Sequence, residues 1–237
     1  YYASRGLGDV YKRQAVFREE GSKMTGLLIK DMYIMRQSIK SMLFILVVWS
    51  VVFLGGKKTG MFLIPMFIMI AGMNVLNLFS YDRQTKWETY ALTMPIPRWK
   101  MVLEKYLYSV CIAAFFGIIA VAAVAAATAI KGMGMGPEFL FELLINWLTG
   151  VALAFFYNSI SIPLTYWLGV EKARMIPSVL IGVAVFLIVA LASAYGDDIA
   201  VSDSTVTAVI IAGALGTVVM MVLSYFISVS VYNKKEF

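Results

Sequence analysis

Six apolar runs, each close to the length of a membrane-spanning helix or longer, constrain this chain more than any other feature of its sequence. A helix needs about 20 mostly apolar residues to cross the roughly 30 Å of hydrocarbon in a bilayer. The runs do not alternate in segments of about ten residues, as strands of a membrane β-barrel would. Because a backbone in lipid must satisfy its own hydrogen bonds, these runs are expected to be helices. The predicted spans are residues 39–56, 61–80, 106–130, 143–168, 175–195 and 206–232.

The composition agrees with a membrane protein and excludes several kinds of enzyme. Apolar residues make up 61% of the chain and charged residues 14%, against about 45–50% and about 25% in soluble domains. The sequence contains no histidine and a single cysteine, Cys111. This excludes zinc sites built on histidine and cysteine, Ser-His-Asp triads, Cys-His dyads and an intrachain disulfide. We therefore predict an all-α integral membrane protein that is not an enzyme and holds no metal.

The lysines and arginines between the runs predict the orientation of the chain. Twelve lie in segments on one side of the predicted topology, and only Lys57, Lys58 and Lys131 lie on the other. Since positive residues collect in cytoplasmic loops, both termini are expected to be cytoplasmic. The same bias accounts for the net charge of +6, so no nucleic-acid partner is expected.

The segment before the first span has the pattern of an amphipathic helix. Between residues 24 and 42, apolar side chains recur every three or four positions, and basic side chains fall largely between them. This pattern predicts an N-terminal helix at the membrane interface; the alternative is an overhang of the first spanning helix. Residues 1–23 are expected to be a non-native or disordered tail, with the biological chain starting at Met24.

Ionisable side chains are scarce within the predicted spans, which argues against a carrier with its own proton or cation site. The polar groups there are amides and hydroxyls, which either hydrogen-bond between helices or line a weakly polar substrate path. A glycine-lysine turn at residues 55–59 lacks the spacing of a P-loop, so the chain is not expected to bind ATP that way. The candidates for pathway lining are Asn74, Asn77, Asn158 and Ser161.

The polar segment between the second and third spans is the most informative loop. A short amphipathic helix is predicted from Asp82 to Leu92. Pro95 and Pro97 end it, because proline donates no backbone hydrogen bond and biases its predecessor toward extended geometry. A new helix is then predicted to begin near Arg98 and to continue into the third span.

This loop resembles the loop after the second helix in ABC-2 type permeases, the membrane subunits of bacterial ATP-driven exporters. Leu92 and Met94 stand where the family has a longer leucine run. The turn at residues 169–174 also resembles the second cytoplasmic loop of the family, and the topology agrees over residues 24–237, which are predicted to form one ABC-2 type transmembrane domain. The resemblance is carried by Asp82-Arg83, Glu88, Leu92, Met94-Pro95-Ile96-Pro97-Arg98 and Lys105.

The resemblance implies a permease of six transmembrane helices in a bacterial plasma membrane, surrounded by lipid. Its partners would be a cytoplasmic ABC ATPase and a second permease copy or paralogue. ATP and magnesium would bind to the ATPase, and this chain would hold no cofactor. Compact permeases of this length resemble exporters of amphipathic peptides such as phenol-soluble modulins. Two alternatives remain open: a gradient-driven carrier or channel without an ATPase, and a non-transporting membrane anchor or assembly subunit.

The resemblance also implies roles for individual residues. Side chains of the loop would contact the ATPase, and the prolines would keep the connection stiff. The predicted coupling residues are Asp82, Arg83, Lys86, Trp87, Glu88, Tyr90, Pro95, Pro97 and Arg98. A second cytoplasmic contact is predicted at Lys30, Asp31 and Arg36 on the amphipathic helix.

Overall fold

Every regular element in the described part of the chain is a helix, which confirms the all-α prediction. The computed structural model describes residues 26–36, 39–51, 60–93, 96–132, 134, 136–195 and 203–234. Helix α1 has two segments, Gly26–Arg36 and Ile39–Val51, inclined by 48°. The others are α2 (Leu63–Gln84), α3 (Trp87–Leu92), α4 (Arg98–Ile130), α5 (Pro137–Leu168), α6 (Val170–Tyr195) and α7 (Asp203–Asn233).

Four helices in the described residues are long and apolar enough to cross a membrane. They are α2, α4, α5 and the Thr207–Asn233 part of α7, and the two segments of α1 together would make a fifth. Helix α6 covers the fifth predicted run, residues 175–195, but that span stays a prediction. So do the interfacial position of the first helix, the cytoplasmic termini and the single transmembrane domain. Residues 1–25 and the end of the first predicted span, 52–56, lie outside the described residues.

The structure corrects the bounds of the helices around the polar loop. Helix α2 continues past Ser80 to Gln84, and the short helix begins at Trp87 rather than at Asp82. The break between them lies at Lys86, whose backbone is left-handed with φ of 52°. A left-handed residue cannot continue a right-handed helix, so α3 starts immediately after it. Asp82 therefore belongs to the last turns of the long helix α2, not to the short one.

The start of α4 follows the sequence prediction closely. Pro97 is extended, with φ of −67° and ψ of 140°, and α4 begins at the next residue. At the other turn, Gly169 adopts φ of 92° and separates α5 from α6. A side chain is strained in that conformation, and glycine is not. The chain thus changes direction at residues suited to each turn.

Helix α5 is central and packs most extensively against α7 and α2. Glycines allow its close approach to α2. A Cβ atom added to Gly72 would lie 2.9 Å from the Cβ of Ala154, and one added to Gly150 would lie 2.8 Å from the Cα of Pro65. Small residues are the usual means by which membrane helices approach closely. The bundle brings the C-terminal ends of α2, α5 and α7 and the N-terminal end of α4 to the same end as the first segment of α1.

Candidate functional site

Five charged side chains meet at this end of the bundle, which we call the charged end. Lys30 and Asp31 come from α1, Asp82 from α2, and Glu104 and Lys105 from α4; we call these five residues the charged cluster. The Nζ atom of Lys105 lies 2.6 Å from Asp82 and 3.2 Å from Asp31. The Nζ atom of Lys30 lies 2.9 Å from Asp82 and 3.0 Å from Asp31. Each aspartate therefore contacts both lysines.

The cluster is largely shielded from solvent. The side chains of Asp31, Asp82, Glu104 and Lys105 are 0–6% exposed, and that of Lys30 is 21% exposed. Burying a charge costs several kcal/mol unless an opposite charge and hydrogen bonds compensate for it. The ion pairs supply that compensation for the two aspartates and two lysines. Because the five residues lie on three helices, they join α1, α2 and α4.

Glu104 has the longest contacts with the lysines of the cluster. Its Oε1 atom lies 3.7 Å from the Nζ of Lys105 and 3.9 Å from that of Lys30. These distances are too long for hydrogen bonds, and the atom is buried without a hydrogen-bond partner among the described residues. Three carboxyl groups thus surround two ammonium groups. Among the described residues, the Oε1 atom of Glu104 therefore has only these long contacts with the two lysines.

Helix α3 lies directly against the charged cluster. The Nζ of Lys30 is 4.4 Å from the centroid of the Trp87 ring, within the range of a cation–π contact. Ala91 on the same helix is buried in the apolar core. Between α3 and the cluster is a cavity of about 20 Å³, bordered by Glu88, Glu104 and Tyr232 among others. It is large enough for about one water molecule. Helix α3 is therefore packed on its inner side.

The outer side of α3 and of the turn before it is exposed. Lys86 and Tyr90 are exposed, the latter with 57% of its surface. Arg83 is also exposed, although its guanidinium group lies against Gly169: a Cβ atom there would be 2.8 Å from Nη1. The exposed set combines positive charge with an aromatic ring on a helix that has a rigid backing.

The nine predicted coupling residues differ in their exposure to solvent. Arg83, Lys86, Tyr90 and Pro97 are exposed; Trp87, Glu88 and Arg98 are half-buried; Asp82 is buried in the cluster; Pro95 lies outside the described residues. The half-buried Arg98 donates a hydrogen bond of 2.9 Å to the carbonyl oxygen of Asn233, which ties the start of α4 to the end of α7.

The predicted second contact is not separate from the loop. Lys30 bonds directly to Asp82. Asp31 bonds to Lys105, which also bonds to Asp82, and Asp31 is fully buried. Arg36 is exposed at the end of the first α1 segment. Sequence reasoning gave Glu104 no role and noted Lys105 only as part of a family motif. Two adjacent charges immediately before an apolar run were the available signal.

Three of the four predicted pathway residues lie inside the helix bundle. Asn158 donates a hydrogen bond of 2.7 Å to the hydroxyl of Ser109, joining α5 to α4. Asn74 donates to the carbonyl oxygen of Ile70 at 3.1 Å, and Ser161 is fully buried. The contacts of Asn158 and Asn74 are those expected of interhelical or local hydrogen bonding, whereas the hydroxyl of Ser161 has no hydrogen-bond partner among the described residues. A lining role for the four residues stays a prediction.

Asn77 alone among the four is exposed, and it borders an open concavity. The concavity has a volume of about 460 Å³ and lies between the end of α2 and the start of α6. Arg174 donates a hydrogen bond of 3.2 Å to the side-chain oxygen of Asn77 across it. Glu171 and Gln84 also contribute to its polar lining.

A neutral polar network begins at Tyr106, the residue that follows Lys105 on α4, and we call the part of the bundle beyond the charged cluster the middle of the bundle. The hydroxyl of Tyr106 lies 2.6 Å from that of Ser224 and 2.8 Å from that of Ser228. Ser224 in turn donates to the carbonyl oxygen of Ser159 at 2.6 Å. These bonds join α4, α7 and α5 without formal charge. In the described ranges, no group of three or more histidine, cysteine, aspartate or glutamate side chains is arranged to hold a metal ion.

Comparison with known proteins gives one family match. A family model with the description "ABC-2 family transporter protein" matches residues 26–233, which include all the helices described above. Neither the curated proteins nor the solved structures gave a match.

Proposed function

The chain belongs to the ABC-2 family of transporter proteins, and on this basis we propose that it is the permease subunit of an ATP-driven exporter. The family and the apolar helices identify it as a multi-pass membrane protein and as a transporter subunit that is not itself catalytic. The proposal adds that a separate ABC ATPase hydrolyses ATP and that the motion of the ATPase reaches the membrane helices through the charged end.

The observation that carries this proposal is the position of α3. Lys86 in the turn before α3 and Tyr90 on α3 are exposed on the outer side. The inner side of α3 rests on the core and, through Trp87, on the charged cluster. Aromatic and positively charged side chains are frequent anchors of protein interfaces. A short helix with a rigid backing transmits a push from a docked partner to the helices behind it. We assign ATPase docking to the outer side of α3.

The remaining features of the proposal follow from the same assignment. The charged end faces the cytoplasm, in agreement with the bias of the positive residues. ATP and magnesium bind to the ATPase and not to this chain. Two permease copies or paralogues and two ATPases form the complex in a bacterial plasma membrane. The substrate path runs between the permeases, and amphipathic peptides are the proposed cargo.

Co-purification with the ATPase tests the proposal. The chain is expressed together with a candidate ABC ATPase, and any complex is purified in detergent. We expect the complex to hydrolyse ATP and the isolated chain to show no hydrolysis. Hydrolysis by the rigorously purified chain, or the absence of a bound ATPase, would contradict the proposal. Transport in vesicles without any ATPase would instead favour the gradient-driven carrier, and assembly without any transport would favour the anchor.

A matched pair of variants tests the docking surface. Tyr90 on α3 and Phe141 near the start of α5 have similar exposure, 57% and 53%, and only Tyr90 lies at the charged end. Tyr90→Ala is expected to weaken ATPase retention about tenfold or more, since truncation of an aromatic hot spot costs about 2 kcal/mol or more. Phe141→Ala is expected to retain the ATPase as the parent does. Equal retention by both variants would show that α3 is not the docking helix.

A further inference from the structure

We infer that the charged cluster fixes the first segment of α1 to the backing of α3, so that α1 moves together with α3 when the ATPase acts. The inference rests on the proposed function and extends it to an element that the docking surface does not contain. Lys30 is assigned as a positioning residue: it acts through its neighbours and contacts neither nucleotide nor substrate.

The pattern of ion pairs opposes a shift of α1 relative to α2. Lys30 lies on α1 and Lys105 on α4, and both contact the same two aspartates, Asp31 of α1 and Asp82 of α2. A shift of α1 relative to α2 would therefore lengthen Lys30–Asp82 and Lys105–Asp31 together. Both aspartates are almost completely buried, and the cavity beside Asp82 has room for only about one water molecule, too little to solvate a separated ion pair. Buried pairs separate only at a large cost in free energy.

Lys30 connects the cluster to the docking helix. It belongs to α1, bonds to Asp82 of α2 at 2.9 Å, and lies 4.4 Å from the Trp87 ring of α3. These two contacts link α1, α2 and α3 through one side chain. A displacement of α3 by a docked ATPase would thus act on α1 through Lys30 as well as on α2 through the backbone.

The second segment of α1 carries this displacement along the bundle. Its Met42 and Leu46 are buried against the core, and Asn74 of α2 donates a hydrogen bond of 3.2 Å to the sulfur of Met42. The two segments together have the length and apolar character of a membrane span. The charged cluster therefore gives α1 a direct connection to the site where we place the ATPase.

Distance measurements between α1 and α3 test the inference. Spin labels are attached to Tyr33→Cys on α1 and Thr93→Cys after α3, both exposed positions, in a Cys111→Ser background that removes the one native cysteine. Pulsed electron paramagnetic resonance gives the distance distribution in lipid nanodiscs. It is recorded for the chain alone, for its complex with the ATPase, and for the complex trapped with ATP and vanadate.

Three variants separate the charge of Lys30 from its size and from its helix. Lys30→Met keeps the length of the side chain and removes the charge, whereas Lys30→Arg keeps the charge. Lys40→Met makes the same change at an exposed position of α1 outside the cluster. Because the side chain of Lys30 is itself 21% exposed, we expect all three variants to fold. ATPase retention by pull-down is measured for each variant.

We expect a single narrow distance for the parent in all three conditions. Lys30→Met is expected to widen the distribution in the chain alone and to shift it on trapping, whereas Lys30→Arg and Lys40→Met match the parent. The factor by which the bound chain changes the ATP turnover of the ATPase should be about 5-fold or more smaller for Lys30→Met than for the parent. A factor of about 5 is the lower end of the usual range of allosteric couplings. ATPase retention should stay unchanged, which a merely structural defect would not produce.

A parent distance that changes on trapping would overturn the inference, and this result requires no variant to fold. So would a Lys30→Met distribution equal to that of the parent, or a Lys30→Arg variant that behaves like Lys30→Met. If no ATPase binds the parent chain, the proposed function fails, but the chain-alone distributions still decide whether the cluster holds α1 to α3.

Discussion

The charged end and the middle of the bundle connect their helices by different chemistry. At the charged end, two lysines and three carboxyl groups join α1, α2 and α4. In the middle, the Tyr106 hydroxyl bonds to two serines, and Asn158 bonds to Ser109. Neutral bonds between membrane helices contribute about 0.6 kcal/mol on average, whereas loss of one partner from a buried ion pair costs about 3–5 kcal/mol. The charged end is thus the region where removal of a single partner should cost the most stability.

Removing Lys105 from the charged cluster is expected to cause the largest loss of stability. Lys105→Met would leave Asp82 and Asp31 buried with one cation between them, and we expect a loss of about 3–5 kcal/mol in the free energy of unfolding. Lys40→Met, at an exposed position of α1, should change it by no more than about 0.5 kcal/mol. Unfolding of the purified chain in mixed detergent micelles measures both. Equal stability of the two variants would remove the distinction between the charged end and the rest.

Close packing is the next largest contribution to the middle of the bundle. Gly150→Ala would place a Cβ atom 2.8 Å from the backbone Cα of Pro65, so α5 must move away from α2. We expect a cost of about 1–3 kcal/mol for this overpacking. Gly216→Ala on α7 is the control, because nothing lies within 4 Å of its added Cβ. The same unfolding titration compares them, and a Gly150→Ala variant as stable as the control would argue against glycine-dependent contact of α2 and α5.

The hydroxyl network should give the smallest of these stability effects. Tyr106→Phe removes the oxygen that lies between Ser224 and Ser228, and we expect a loss of about 0.6–1.7 kcal/mol. Tyr33→Phe removes an exposed hydroxyl on α1 and serves as the control. A loss for Tyr106→Phe as large as that for Lys105→Met would mean that the middle is joined as firmly as the charged end.

The sequence predicts the elements of the fold better than it predicts the contacts between them. Apolar run length locates the helices, and Pro97 locates the start of α4, because both signals are local. The extension of α2 to Gln84 was not predicted, since the sequence predicts a separate short helix for the polar residues from Asp82 onward. In the structure, Asp82 meets Lys30 and Lys105, and these contacts satisfy a polar helix end inside the protein.

The charged cluster shows why part of the site was not predictable. Lys30 and Asp31 have the spacing of a solvated helix face, so the sequence predicts that they face outward. Asp31 is instead fully buried and paired with Lys105, which lies 74 residues away along the chain. No local pattern reports a pairing over that separation. By contrast, Lys86 and Tyr90 are exposed as a docking role requires, although the role itself stays a prediction.

Cross-linking from the two ends of the bundle tests the central claim most directly. Single cysteines are placed at Thr89, the exposed neighbour of Tyr90 on α3, and at Phe141 on α5, in the Cys111→Ser background, and the chain is expressed with its ATPase in native membranes. A short cysteine-to-lysine cross-linker is then added. We expect a cross-link to the ATPase from Thr89→Cys and none from Phe141→Cys. A cross-link from Phe141→Cys, or none from Thr89→Cys while the ATPase stays bound, would contradict the docking of the ATPase on α3.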